Sequence, residues 1–252
     1  MNESEGRTSD GVQTGHAMNS DASPAASALA EMAEKFEGAA PQEILAWAIA
    51  RYQPRIVLSC SFGGPTAIVA LDIVMSIAPA TPVYYLDTDL LFPETHALIA
   101  RVAERYGISP IKVTPELSLA EQAREHGDRL WERSPDDCCA LRKVAPQERF
   151  LSSHDAWITG LRRDQAPTRM RTPVVQWDER FGLAKVNPLA AWDERMVWAY
   201  VRAHDLPYNE LHDRGYPTLG CTMCTAAVKD GEPPRAGRWN GFAKVECGLH
   251  GK

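Results

Sequence analysis

The chain is predicted to be an α/β protein: a mainly parallel, twisted sheet with helices on both faces and an irregular C-terminal segment. Three observations predict this. From residue 55 to residue 159, short apolar runs alternate with helical patterns of about 10 to 15 residues, as in successive β-α-β units. Apolar residues are 44% and charged residues 24% of the 252-residue chain, ordinary usage for a chain that buries a core without staples. The six cysteines do not make a disulfide scaffold in a chain that is neither small nor visibly secreted, and they point instead to metal or redox chemistry.

Each element follows from local pattern. Residues 1–23 are rich in Ser, Gly, Asp and Asn and lack an apolar core; they read as a disordered leader and not as a secretory signal. Pro24 and Pro41 each open an amphipathic helix, since a missing N–H costs little in a first turn. Residues 55–61 (RIVLSCS) read as a buried strand, 65–77 as a helix, 82–86 (PVYYL) as a strand and 94–106 as a helix. Residues 108–113 form a third strand and 157–159 belong to a fourth. Helical crossovers between strands imply parallel neighbours. Beyond Trp157 the pattern weakens to Arg-, Asp- and Pro-rich loops, with a strand at 183–186 and a helix at 193–204. From Tyr216 onward Gly, Pro and Thr dominate, and long irregular segments carry function more often than packing. The expected organisation is one α/β domain over residues 24–236 and a mobile tail over 237–252.

The charge balance bounds the partners. Lys and Arg number 27 and Asp and Glu 33, a net −6, which argues against a general polyanion binder. No nucleic-acid partner is expected, and an anionic ligand needs a local basic cluster. No run of 18 apolar residues occurs, so no membrane span is expected. The setting expected for these cysteines is the reducing cytoplasm.

Open parallel sheets bind ligands beyond the carboxyl ends of their strands. Ser59-Cys60-Ser61-Phe62-Gly63-Gly64 runs straight into a helix, so small residues let the backbone approach an anion at a helix N-terminus. Asp87-Thr88-Asp89 follows the next strand. No Gly-Lys-Ser/Thr follows the glycines, so this is not a Walker loop.

Cys138 and Cys139 are adjacent, and Cys221 and Cys224 form a C-x-x-C. Two separated pairs of thiolates can close a zinc site or hold an iron–sulfur cluster; an adjacent pair departs from the usual zinc knuckles and shifts the weight to a cluster. Ser134, Pro135, Asp136 and Asp137 read as an N-cap, a first-turn proline and an acidic first turn, which puts the adjacent pair at the start of a helix. Arg142 and Lys143 follow one turn later, where their charge favours thiolates. Cys60, inside an apolar strand, reads as packing. Cys247 stands alone in a Gly-rich stretch five residues from the end, near Lys244 and His250. That suits a nucleophile swinging into a pocket, and equally a free thiol on a frayed end. Residues 160–171 hold four arginines in twelve positions, apt for bidentate recognition of phosphate or sulfate, and Arg238 adds a cation near the tail.

Together CCALRK, GLRRDQAPTR, NPLAAW, GCTMCT and the terminal ECGLH resemble the assimilatory adenylyl-sulfate reductases, iron–sulfur members of the 3′-phosphoadenylyl-sulfate (PAPS) reductase superfamily. The resemblance runs from about residue 40 to the end. It implies an adenine-nucleotide alpha-hydrolase-like sheet, a [4Fe-4S] cluster on Cys138, Cys139, Cys221 and Cys224, and Cys247 as the nucleophile. It also implies that Ser59, Ser61 and Thr88, with backbone groups of Leu86 and Gly160, line the nucleotide pocket. Lys143, Arg169, Arg238 and His250 would surround the phosphosulfate. The implied reaction is thioredoxin-dependent reduction of adenylyl sulfate to sulfite and AMP through an S-sulfocysteine, in sulfate assimilation. Thioredoxin or a similar dithiol protein is the implied partner, and a homo-oligomer is allowed. Superfamily members that use the 3′-phosphorylated substrate usually lack both cysteine pairs, so their presence favours the unphosphorylated one. Two stretches depart from the family pattern. Gly63-Gly64-Pro65-Thr66 lacks an acidic residue common there, and Asp89 replaces the glycine of Leu-Asp-Thr-Gly. The competing readings are an iron–sulfur or zinc redox sensor with Cys247 as the sensing thiol, a PAPS-specific reductase, and a nucleotide-adenylating ligase. The last would want a Ser-Gly-Gly-x-Asp-Ser loop that this chain lacks.

Overall fold

The structure is a computed structural model that describes residues 24–250; the expected leader over 1–23 lies outside the described residues. Two helices come first, α1 (Pro24–Lys35) and α2 (Pro41–Tyr52). Next are β1 (Ile56–Ser59), α3 (Pro65–Ile77), β2 (Val83–Leu86), α4 (Pro93–Tyr106) and β3 (Ile111–Val113). Short helices α5 (Leu119–His126), α6 (Leu130–Arg133) and α7 (Pro135–Cys139) follow. A π turn over Ala140–Val144 joins α7 to α8 (Ala145–Leu151). The chain continues through β4 (Ala156–Ile158), β5 (Val175–Asp178), β6 (Leu183–Val186) and α9 (Glu194–Ala203).

The six strands make one sheet in the order β3-β2-β1-β4-β6-β5. All neighbours are parallel except β5, which pairs antiparallel with β6. Strand alternation feeds two cores. Ile56 and Leu58 enter the larger one with Ile44 of α2, Ile68 of α3 and Val197 of α9. Val57, between them, enters the smaller one with Tyr84, Trp157 and Leu151 of α8. Helices therefore cover both faces, as the strand pattern implies. Strands β2 and β3 lie on one side of β1 and β4 on the other. The chain order thus reverses between β1 and β4, and a crevice opens at the strand carboxyl ends there.

Several boundaries and one cap differ from expectation. The 108–113 strand begins only at Ile111, because the Ile108 N–H donates to Ala103 O (3.1 Å) and closes α4. Gly107 makes that turn at φ +62, a left-handed helix end that suits glycine. The 55–61 strand stops at Ser59, where the chain turns toward α3. Helices α5 and α6 and strand β5 were not read from the sequence. Ser134 does not cap α7: its hydroxyl donates to the Asp137 carboxylate (2.6 Å) and it accepts no backbone N–H. Pro135 does occupy the first turn, and Cys138 and Cys139 end α7. No helix among the described residues is long and apolar enough to cross a membrane.

Candidate active site

A cavity of about 300 Å³ opens at the carboxyl ends of β1, β2 and β4, with the first residues of α3 in its wall. The backbone there is held under strain. Phe62 has φ +50, a conformation that costs a bulky residue about 1–3 kcal/mol and persists only when its surroundings enforce it. Here its ring is fully buried, meets Tyr85 edge-on at 5.8 Å, and its carbonyl accepts from Asn209 Nδ2 (3.3 Å). Gly160 is required by contact: a Cβ there would lie 3.0 Å from the Ala67 backbone, so the end of β4 and the start of α3 touch only because residue 160 has no side chain.

The altered position 89 has a physical account. Asp89 lies at φ +57, a conformation that favours glycine and that Asp tolerates better than most residues. Its N–H donates to Asp87 Oδ1 (3.0 Å) and its carboxylate accepts from Arg142 Nη2 (2.5 Å). Buried Arg142 also donates to Thr88 O (2.7 Å) and to Gln122 Oε1 (3.1 Å). Thr88 Oγ1 lies 3.2 Å from Cys221 Sγ. Arg142 thus ties the loop after β2 to the helix that carries Cys138 and Cys139. At the other altered stretch, Thr66 Oγ1 accepts a short hydrogen bond from Arg162.

Ser59, Ser61, Leu86, Thr88 and Gly160 all line this cavity. So do Lys143, Arg169, Arg238, Cys247 and His250. Their partners differ. Arg169 is fully engaged: Nε and Nη2 donate to the Glu246 carboxylate (2.8 and 2.6 Å) and Nη1 to Gln165 Oε1 (2.6 Å). Arg238 donates to Leu219 O (3.1 Å) and stacks over Trp239 at 4.4 Å. Burial works against the charge on Lys143, but the thiols of Cys221, Cys247 and Cys139 offset it and raise its pKa above the ordinary lysine range.

Residues 237–250 dock on this body. The Thr225–Arg238 bridge starts the docking, and it needs Gly237, whose added Cβ would lie 2.1 Å from Ala226 O. Lys244 pairs with Asp136, and Arg180, in the β5–β6 turn, donates to Gly248 O (2.8 Å). His250 stacks on Trp157 of β4, with centroids 5.6 Å apart and planes at 12°. Its pKa is lowered well below 6.5, first by burial and then by Lys185, Arg169 and Arg235. The docked tail therefore carries a neutral ring, and a released tail regains the ordinary value. Docking is fully favoured above about 6.5 and weakens as the pH falls below it. Proteolysis within residues 241–250 should quicken as the pH falls through that range, relative to a His250→Phe control. Equal pH dependence in the two proteins would refute the linkage.

The four paired cysteines lie behind this wall. Cys138, Cys139 and Cys221 are buried and Cys224 is half-buried. Burial pushes the Cys138 thiol up to about 12, with further upward contributions from Cys139, Cys221 and Cys224 and a downward one from Arg142. Burial likewise raises Cys139 to about 11, while Lys143 pulls it down. Cys221 contributes to the upward shift of Cys138, Cys139 and Cys224, so four sulfurs from two separated segments lie close together, a donor set suited to a soft metal centre. Among the described residues no three His, Cys, Asp or Glu side chains gather as a single-ion site. Cys60 is fully buried and its thiol is pushed up to about 12 by burial, in keeping with a packing role.

Glu246 and Arg235 are among the cavity residues that escaped the sequence reading. Glu246 is gripped by Arg169, and Arg235 lies 3.5 Å from the same carboxylate. Their signal was present in Arg-Ala-Gly-Arg-Trp and in the residue before Cys247.

Comparison with known proteins gives a concordant picture. Residues 55–227 match the phosphoadenosine phosphosulfate reductase domain model. An adenosine 5′-phosphosulfate reductase from Halalkalibacterium halodurans is 50% identical over 209 residues, covering 82% of this chain and 90% of that one. A phosphoadenosine 5′-phosphosulfate reductase from Gloeobacter violaceus is 48% identical, covering 88% and 93%. The crystal structure of phosphoadenylyl-sulfate reductase from Candida auris, a phosphate complex, superposes with TM-score 0.69 at 34% identity, over 79% of this chain and 96% of that one. An FMN adenylyltransferase from Candida glabrata (TM-score 0.56, 16% identity, 82% and 69% covered) shares the fold alone.

Proposed function

The chain belongs to the phosphoadenosine phosphosulfate reductase family, and on that premise we propose that it reduces adenylyl sulfate to sulfite and AMP through Cys247. The observation that carries this reading is the meeting of Cys247 with Lys143, Arg169, Arg238 and His250 in one cavity at the strand ends. That cavity combines a small-residue loop at a helix N-terminus, suited to a nucleotide, with a cationic end suited to a phosphosulfate.

The adenosine binds near Ser59, Ser61, Leu86, Thr88 and Gly160. The cations hold the phosphosulfate, and the Cys247 thiolate attacks its sulfur. A sulfur–sulfur bond forms as the sulfur–oxygen bond to phosphate breaks, and AMP leaves with the bonding pair. Lys143 and the arginines stabilise the charge that moves to the leaving phosphate. A dithiol protein of the thioredoxin kind then attacks Cys247. Sulfite departs, and the dithiol supplies both electrons by closing to a disulfide. The tail serves both halves: docked, it delivers Cys247 to the cavity, and released, it offers the sulfocysteine to a protein.

Cys138, Cys139, Cys221 and Cys224 would hold a [4Fe-4S] cluster, a donor set that fits the group: four thiols, largely shielded, with Arg142 and Lys143 beside them. Bound there, the cluster supplies a fixed anionic neighbour to Lys143.

Incubation with adenylyl sulfate and thioredoxin should yield sulfite and AMP in equal amounts, with sulfite formed faster than from the 3′-phosphorylated substrate. Preference for the 3′-phosphorylated compound would instead make this a PAPS reductase. A protein that releases no AMP would support the redox-sensor reading, and a colourless, zinc-loaded preparation made without oxygen would remove the cluster.

A further inference from the structure

We infer that Gln147 is a further substrate-binding residue, donating its amide N–H to an anionic oxygen of the ligand taken up beside Lys143. The inference deepens the function proposed above and rests on it.

Gln147 is 1% exposed, yet it lines the cavity. It stands four residues after Lys143, and both side chains reach the same cavity. Its orientation is fixed from behind. The Tyr84 hydroxyl donates to Gln147 Oε1 (3.2 Å), and Ser59 hydrogen-bonds to Tyr84 in turn. Burial holds that phenol far above its ordinary pKa, so it stays protonated and keeps donating. With the oxygen end committed, the nitrogen end is the free one: Gln147 Nε2 is buried and makes no hydrogen bond within the protein.

A buried amide donor without an acceptor is costly, and leucine would fill a similar volume without that cost. A polar side chain kept here, anchored on one side and open on the other, has the form of a preorganised ligand contact. The neighbouring cation defines the chemistry of the acceptor. Next to Lys143 the cavity takes an anion, and a neutral amide adds direction without adding charge.

The test uses the intact protein and adenylyl sulfate, with KM and direct binding measured across pH. Gln147→Leu should weaken binding roughly 10- to 100-fold, the loss of a hydrogen bond to a charged group. Gln147→Glu keeps an acceptor for Tyr84 but sets a carboxylate against the bound anion. Its defect should exceed that of Gln147→Leu at neutral pH and shrink on acidification, as the protonated acid becomes a donor. Wild-type affinity in both variants would overturn the inference, with solvent alone meeting Nε2. An equal, pH-independent defect in both would overturn it too, leaving Gln147 a structural prop for Tyr84. If the unaltered protein does not bind adenylyl sulfate, the proposed function falls first and this inference with it.

Discussion

Cys247→Ser should lower the rate of AMP release from adenylyl sulfate by about 10⁴-fold or more, while binding of the substrate is kept. A serine hydroxyl is a far weaker nucleophile than a thiolate unless a base removes its proton. His250, three residues along the chain, is itself kept neutral by burial and by Lys185, Arg169 and Arg235, so its basicity is suppressed. The binding cations are untouched by the exchange, and the pair between Arg169 and Glu246 needs no sulfur. Single-turnover assays with mass measurement of the protein are decisive. The unaltered chain should gain one sulfonate on Cys247 and the variant none. A variant that still released AMP at the normal rate would remove Cys247 from the chemistry.

Lys143→Ala should reduce kcat/KM by about 10²- to 10³-fold, the scale for losing one charge-stabilising donor at a reacting centre. The reason lies in its neighbours. Cys221, Cys247 and Cys139 all raise the lysine's pKa against the effect of burial, which places its ammonium among those sulfurs. Removing it withdraws the ammonium that stands beside both the leaving phosphate and the attacking sulfur. Unchanged kcat/KM, with iron content also unchanged, would break the proposed link between the cysteine pairs and the substrate.

The alternating apolar runs made the parallel core legible because β1, β2 and β4 are short, buried and separated by helices. Strand β5 was not, because Val-Gln-Trp-Asp mixes apolar and polar residues and its pairing comes from β6 across a turn. Helices α5 and α6 were hidden by their polarity: each has only one buried residue, Gln122 and Leu130. Local pattern misread Ser134 as a cap because residue type does not reveal the backbone there, which lies at φ −143, ψ 81 and not at the φ −61, ψ 165 of the true cap Ser118. At the site, residue types carried the reading of the cysteines and of the arginine-rich loop. What they could not carry was the partner each cation chooses. Arg169 and Arg235 meet Glu246 only because the tail returns across the sheet, a contact set by tertiary folding.

That contact has a consequence for how the protein would register its ligand. An anion that takes Arg169 for itself must displace a carboxylate held by two hydrogen bonds from Arg169 and a third from Thr168. The dissociation constant seen in solution is then the intrinsic one divided by the fraction of molecules whose glutamate has let go. A modest measured affinity would accordingly describe the occupancy of the closed tail and not the quality of the pocket. Two relatives with identical pockets could differ widely in apparent affinity through that one carboxylate.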